Sequence, residues 1–320
     1  MKQFLVIVST FLLLISCSSE DQPKPKPVTI YVVGIGRETA DGNNRATIWK
    51  DGTPQFLSPV TQEGSANDVL VADKNVHAVG GVTNNDGFSQ ATYWKNGVVQ
   101  TLEVDASIAS YASSICIYNN DVYISGYHNN HAVYWKNGVL QDMSTTTATN
   151  TYGIFVNSSG IHIALWESNL VKLWKNGVVS TLSTGEKFDR LRDFYVDKND
   201  VYFLVNEEEA GVANKIKYWK NGVANYIPNA TNTMASSIHV ANGKVYVSGM
   251  VSSKPKYWVN GKVTHLSDTE MPVWTITSFK GNVYCAGSSS QMLTIWKNSK
   301  EMSFANTAFY NDPYDIAVAE

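Results

Sequence analysis

The chain has 320 residues, a formal net charge of −3 and 43% hydrophobic residues. These values are typical of a soluble globular protein with a sizeable core. They exclude broad recognition of nucleic-acid phosphates, because acidic residues outnumber basic ones by 28 to 25.

The first residues predict export. Lys2 precedes an apolar run, Phe4 to Ser16, which is too short for a stable membrane span and typical of a secretory signal. The run ends in LISC, which resembles the lipobox of bacterial lipoproteins. Residues 1–16 are therefore a predicted lipoprotein signal peptide, and Cys17 is the predicted lipidation site. The alternative is a free cysteine behind an ordinary signal peptide.

Residues 17–27 predict a flexible tether. The stretch SSEDQPKPKP alternates proline with polar residues and cannot bury apolar area. Glu20 and Asp21 resemble the acidic export signal of Bacteroidetes lipoproteins, and this resemblance implies an outer-membrane lipoprotein displayed on the cell surface. Orientation towards the periplasm is the alternative.

A tryptophan recurs along the rest of the chain at intervals of 45, 41, 39, 45, 39 and 38 residues. Such a period is typical of a repeat architecture. One unit reads as four short strands: Ser113–Tyr118, Val122–Tyr127, Ala132–Lys136 and Val139–Met143. The Asn-Gly between the last two suits a type I′ hairpin, so each unit is a predicted antiparallel meander. The seven tryptophans are Trp49, Trp94, Trp135, Trp174, Trp219, Trp258 and Trp296.

The two ends of the repeat region complement each other. Thr29–Gly36 matches the second strand of a unit, whereas Tyr314–Glu320 matches the first. Together they complete one repeat, as closure of a ring requires. The sequence thus predicts an all-β fold over residues 28–320, a single seven-bladed β-propeller of four-stranded antiparallel blades, closed by pairing the C-terminal strand with the N-terminal blade. An open β-solenoid would leave both ends as unpaired edges.

The stretch AVYWKNGVLQDM, followed by NTYGIFVNSSGIHIALW, resembles the extracellular HAF-type repeats, with their aromatic-Leu-Trp-x-Asn-Gly strand. All seven units share the resemblance, with Tyr or Ile where that family favours Phe-Leu. It supports a propeller and implies little about activity.

Positions whose residue type differs from blade to blade are not fixed by the shared fold, so binding or catalytic residues are expected among them. Loops at the end of the ring opposite the Asn-Gly turns, the top face, are long and irregular, and binding residues usually lie on such loops. The entrance of the first strand offers Asn67, Ser113, Tyr152, Arg192, Ser236, Trp274 and Tyr314. The exit of the second strand offers Ile35, Gly81, Tyr127, Trp166, Asn206, Met250 and Ser288.

The predicted ligand-binding residues combine aromatic rings with polar groups, a set that suits sugar rings or a protein partner. They are Trp274, Tyr314, Tyr152, Arg192, Trp166, Tyr127 and Asn67. The alternative is that these aromatic side chains fill gaps between blade ends and touch no ligand.

No catalytic residue, metal site or cofactor is predicted. His128 and His131 lack an obvious third metal ligand, and His239 is interpreted as a core histidine. Cys116 and Cys285 are interpreted as small buried hydrophobic residues.

The sequence therefore predicts a binding propeller that is not an enzyme, with a glycan or an envelope or extracellular protein as its partner. It predicts no nucleic-acid partner and membrane contact through the lipid anchor only. A polysaccharide lyase or hydrolase is one alternative function, and an envelope-assembly scaffold is the other.

Overall fold

The computed structural model describes residues 26–100, 102, 104–143, 150–183, 188–290, 292–304 and 310–320. The predicted signal peptide, Cys17 and the tether up to residue 25 lie outside the described residues. Among the described residues no helix has the length and apolar character needed to cross a membrane.

The strands form seven separate four-stranded antiparallel sheets, which we number as blades in chain order. Blade 1 contains β1 (Thr29–Arg37), β2 (Arg45–Lys50), β3 (Thr53–Phe56) and the final strand β28 (Tyr310–Ala319). Blade 2 contains β4 (Gly64–Ala72), β5 (Asn75–Thr83), β6 (Ser89–Lys95) and β7 (Val98–Gln100). Blade 3 contains β8 (Ser110–Tyr118), β9 (Asp121–His128), β10 (His131–Lys136) and β11 (Val139–Asp142).

The other four blades repeat this order without the contribution from the chain terminus. Blade 4 contains β12 (Thr151–Asn157), β13 (Gly160–Glu167), β14 (Leu170–Lys175) and β15 (Val178–Thr181). Blade 5 contains β16 (Phe188–Asp197), β17 (Asp200–Glu209), β18 (Val212–Lys220) and β19 (Val223–Thr231). Blade 6 contains β20 (Thr233–Ala241), β21 (Lys244–Val251), β22 (Lys254–Val259) and β23 (Lys262–His265). Blade 7 contains β24 (Val273–Phe279), β25 (Asn282–Ser289), β26 (Met292–Lys297) and β27 (Lys300–Met302).

The repeated Asn-Gly shapes the hairpin between the third and fourth strands. In blade 2, Asn96 and Gly97 have φ angles of 52° and 77°, as a type I′ turn requires. The Asn96 side chain also accepts a hydrogen bond from the Val76 amide of β5, at 2.9 Å. Equivalent bonds recur in the other blades, with asparagine as the acceptor in five of them and Asp51 in blade 1, so this side chain fixes the turn to the second strand.

Seven hydrophobic clusters hold the ring together, one at each seam between neighbouring blades. Trp94 of blade 2 is fully buried and packs with Val33 and Ile48 of blade 1. Every repeat tryptophan occupies such a seam and is at most 7% exposed. The repeat tryptophans therefore pack neighbouring blades together, which explains why the same residue type recurs in every blade.

The ring is closed by the pairing of β28 with β1, which runs antiparallel from Thr29 opposite Ala319 to Arg37 opposite Tyr310. The last strand becomes the innermost strand of the first blade, and Ile316 packs with Ile30 in the seam to blade 7. The predicted seven-bladed propeller and its closure are confirmed.

Each innermost strand contains a β-bulge at the same position, near its entrance. In blade 2, for example, Ala66 pairs with Gly80 and Asp68 with Val79, so Asn67 is the extra residue. A bulge bends the strand and re-aims the side chain of its extra residue. The seven extra residues are Asn67, Ser113, Tyr152, Arg192, Ser236, Trp274 and Tyr314.

Candidate functional site at the channel mouth

The innermost strands surround a central cavity of about 580 Å³. All seven bulge residues line it, together with the residues that follow them along the same strands. The bulges therefore bring together at one opening seven residues that are about forty positions apart in the sequence. We call this opening the channel mouth.

Three of the bulge residues are aromatic: Tyr152, Trp274 and Tyr314. Tyr152 and Trp274 are half-buried, and Tyr314 is 36% exposed. Burial raises the pKa of both phenols, and neighbouring Asp312 further raises that of Tyr314. Both tyrosines are therefore uncharged at neutral pH and present hydrophobic ring faces with a hydroxyl donor.

Arg192 is the only cationic bulge residue. Its Nε donates to the carbonyl of Ala235 in blade 6, at 3.0 Å. Within the described part of the chain, its two terminal nitrogens have no hydrogen-bond partner in the protein. Burial and the nearby Arg190 lower the pKa of Arg192, but a guanidinium stays protonated at physiological pH. The channel mouth thus contains one fixed positive charge, and the terminal nitrogens of this guanidinium can donate hydrogen bonds to a ligand.

Asn67 is held by two hydrogen bonds to blade 3. Its Nδ2 donates to the Ala112 carbonyl of blade 3 at 2.6 Å, and its Oδ1 accepts from the Tyr111 hydroxyl at 2.8 Å. Tyr127 stacks on Tyr111 with ring centroids 5.9 Å apart. Tyr127 therefore supports Tyr111 and lies outside the cavity lining.

Trp166 also lies outside the cavity lining. Its Nε1 donates to the Asp189 carbonyl at 3.0 Å, and its ring meets Phe188 edge to face at 5.7 Å. It packs against the cluster between blades 4 and 5. The end of a second strand is one strand farther from the ring axis, which explains why neither Trp166 nor Tyr127 reaches the channel mouth.

Three aspartates in the cavity wall were missed by the sequence analysis, although each directly follows a bulge residue. Asp68, Asp193 and Asp315 each accept a backbone amide of the next blade, from Ile115 (2.8 Å), Ile238 (2.7 Å) and Val69 (3.1 Å) respectively. Ser237 also donates to Asp193, and Thr275 to Asp315.

These carboxyl groups link neighbouring blades around the channel. The signal for them was present as the pairs Asn67-Asp68, Arg192-Asp193 and Tyr314-Asp315.

Two of these carboxyl groups retain their protons more readily than an ordinary aspartate does. Burial raises the pKa of Asp193 to about 6, against hydrogen bonds that lower it. Burial also raises the pKa of Asp315 well above its usual range, and a hydrogen bond with Asp68 of the adjacent blade adds to the effect.

His239 lies deeper in the cavity wall, with its ring 5.0 Å from that of Tyr195. Burial lowers the pKa of His239 to about 4, so its imidazole is neutral at physiological pH. His131 contacts the Asn129 carbonyl through Nδ1 at 2.7 Å. Across the described residues, no group of three or more His, Cys, Asp or Glu side chains is placed to hold a metal ion.

No family model matches the chain, and no curated protein does. Solved structures with a similar fold include the periplasmic gluconolactonase of Pseudomonas aeruginosa, at a TM-score of 0.52 and 11% identity, covering 92% of this chain and 99% of that one. A putative 6-phosphogluconolactonase from Bacteroides uniformis has a TM-score of 0.53 and 12% identity, covering 91% and 99%. A puromycin-hydrolysing peptidase of Mycobacterium tuberculosis has a TM-score of 0.55 and 8% identity, covering 84% and 52%.

The prediction that the protein is not an enzyme is wrong in the light of these structures. Two lactonases and a peptidase share the ring architecture, so the fold gives no ground for excluding an enzyme. The absence of a familiar catalytic motif in the sequence was a poor guide, because propeller sites are assembled from single residues on many blades. No family model supports the resemblance to HAF-type repeats. What the comparisons and the strand pairing establish together is that this chain is a seven-bladed β-propeller.

Proposed function

We propose that the protein is a hydrolase that binds a negatively charged sugar derivative at the channel mouth. One observation carries the proposal: seven bulge residues surround a single cavity and combine three aromatic rings with one guanidinium whose terminal nitrogens have no partner in the described chain.

The ligand class follows from this combination. The faces of Tyr152, Trp274 and Tyr314 suit the apolar face of a sugar ring. The fork of Arg192 matches a carboxylate or phosphate in a charge-assisted, bidentate pair. Asn67, already pinned by Tyr111, and the two bulge serines supply short polar groups for hydroxyls.

Hydrolysis fits the cavity better than elimination does. Elimination from an acidic sugar needs a base to remove a carbon-bound proton, and burial disfavours the phenolate forms of Tyr152 and Tyr314. Burial and contact with Asp68 raise the pKa of Asp315 well above its usual range, so Asp315 instead offers a protonated carboxyl. The protonated Asp315 carboxyl gives its proton to the departing oxygen as that bond breaks, while the attacking water bonds to the reacting carbon and releases its proton to solvent.

The test is a hydrolysis assay on acidic oligosaccharides and sugar-acid lactones, following the reducing ends or acid released. R192Q keeps a side-chain donor near the Ala235 carbonyl and should lower kcat/KM at least about tenfold through the lost charge. W274A should lower it through lost stacking, whereas F88A, which alters an exposed loop aromatic outside the cavity, should not. Lack of hydrolysis across the panel, or R192Q with unchanged kcat/KM, would overturn the proposal.

We also propose that the mature protein is an outer-membrane lipoprotein anchored through Cys17 and displayed on the cell surface. Support comes from the apolar run, the LISC stretch and the tether in the sequence. Metabolic labelling with a fatty acid should mark the wild-type protein and not the C17S variant, which should leave the membrane fraction. Protease treatment of whole cells should then degrade the protein; if it stays intact while cytoplasmic markers are protected, surface display is wrong.

A further inference from the structure

A second cavity, of about 370 Å³, opens on the top face between blades 5 and 6. Its wall is formed by the entrance of β16, the end of β17, the start of β18 and the residues around the β19–β20 and β21–β22 connections. Arg192 lines both this cavity and the channel mouth. The two spaces are therefore neighbours that share one cationic side chain.

The second cavity differs in chemistry from the channel mouth. It has no aromatic ring in its lining and is rich in side-chain amides, from Asn206, Asn214 and Asn232. It contains a second arginine, Arg190, whose Nη1 lies 3.9 Å from the Glu208 carboxylate. That ion pair is loose and partly exposed, so Arg190 remains available to another anion.

Asn206 gives the cavity a fixed polar wall. Its side chain is 3% exposed, and its Oδ1 accepts the Ala235 amide at 2.8 Å. Its Nδ2 donates no hydrogen bond within the described chain. The same Ala235 accepts the Arg192 Nε through its carbonyl. One residue of blade 6 therefore orients both the shared arginine and the buried amide.

We propose that the substrate is an acidic oligosaccharide of at least two sugar units, with one unit on the aromatic channel mouth and the next in the amide-lined cavity. This inference rests on the proposed function and specifies its substrate. Arg192 lies where the two units join and binds the acidic group of one, while Arg190 binds that of the other. A polar cavity without ring faces suits a sugar held by its hydroxyls at the edge.

Calorimetric titration with galacturonic acid and trigalacturonic acid tests the inference on the full mature chain. The wild type should bind the trisaccharide at least about tenfold more tightly than the monosaccharide. R190Q removes the second anion contact, and N214F fills the cavity from a half-buried position. Both should bring the trisaccharide affinity to within about threefold of the monosaccharide affinity and leave the monosaccharide affinity unchanged.

K198Q is the matched control, because Lys198 follows β16 at the opposite end of the same strand and is exposed. It should leave both affinities unchanged. Equal wild-type affinities for the two saccharides, or variants that weaken both equally, overturn the second subsite alone. Failure of both saccharides to bind instead counts against the proposed function, and the subsite falls with it. Thermal unfolding of each variant checks that its fold is intact.

Discussion

At the scale of single residues, blade 5 contains a buried charge cluster that no other part of the described chain repeats. Lys217 Nζ lies 2.9 Å from Asp189 Oδ1 and 2.7 Å from Glu207 Oε2, and all three side chains are at most 5% exposed. Asp189 also accepts the Trp219 indole at 2.9 Å. The cluster fixes the entrance of β16, the strand that carries Arg190 and Arg192.

Replacing Lys217 by methionine should therefore be costly. The substitution leaves two carboxylates buried without their cation, so the free energy of unfolding should fall by about 3–5 kcal/mol. K220M is the matched control on the same strand, because the Lys220–Asp200 pair at 2.8 Å has side chains that are 41% and 42% exposed. It should cost at most about 1 kcal/mol. Chemical denaturation of both variants measures the difference, and equal losses would contradict this account of the cluster.

Asp193 should give the protein an unusual dependence of stability on pH. Its pKa rises from 3.8 in an unfolded chain to about 6 in the fold. The fold therefore favours the protonated form, and this contribution, about 3 kcal/mol at most, is present below pH 3.8 and lost as the pH rises through 6. Asp315 shifts in the same direction. D193N should flatten the fall in stability between pH 4 and 6.

Thermal unfolding at a series of pH values, with D200N as the control, measures this effect. Hydrogen bonds from Lys220 and Asn221 lower the pKa of Asp200, so its contribution is instead lost as the pH falls. D200N should leave the change in melting temperature between pH 4 and 6 the same as in the wild type. A D193N slope identical to the wild-type slope would contradict a raised pKa of the buried Asp193 carboxyl.

At the scale of elements, the bulge is the feature that the sequence did not predict. The entrance residues of the first strands were identified from the repeat, but a bulge is a property of the backbone pairing, and no residue type marks it. Five of these blades hold glycine in the second strand opposite the residue before the bulge, and blades 4 and 5 hold Leu165 and Val205 instead. Period and turn chemistry thus predicted the strands and left their local register open.

Gly126→Ala tests how tightly the bulge of blade 3 is packed. A Cβ at Gly126 would overlap the backbone carbonyl oxygen of Tyr111, and backbone cannot move aside as a side chain can. The variant should lose roughly 3 kcal/mol or more of stability. Ser125→Ala, at the adjacent buried position, removes a hydroxyl without a hydrogen-bond partner in the described structure and should be neutral. Similar melting temperatures for the two variants would show that the bulge tolerates a side chain here.

At the scale of the whole molecule, closure depends on β28. This strand supplies the innermost edge of blade 1 and contributes Asp315 and Tyr314 to the channel. Ending the chain before Tyr310 would expose β1 as an unpaired edge and open the seam between blades 7 and 1. The truncated protein should lose cooperative thermal unfolding. A sharp transition at the wild-type temperature would contradict closure by this strand.

The architecture of the molecule was predictable because the sequence repeats the same four-strand pattern seven times, marked by the seam tryptophans and by the turns between the third and fourth strands. Five of the seven predicted ligand-binding residues also reach one cavity. The contact between Asp68 and Asp315 was not predictable in the same way, because these residues lie 247 positions apart and meet only through closure of the ring. The second cavity is likewise formed by the ends of several strands, which no linear pattern brings together.

If function resides at the bulge residues of the channel mouth, a saccharide should bind there, and a crystal structure of the mature chain soaked with trigalacturonic acid shows where it binds. We expect one sugar ring against Trp274 or Tyr314, with a carboxylate on the terminal nitrogens of Arg192. A saccharide bound at the Asn-Gly end of the ring, or a channel mouth that stays empty at saturating concentration, would contradict it.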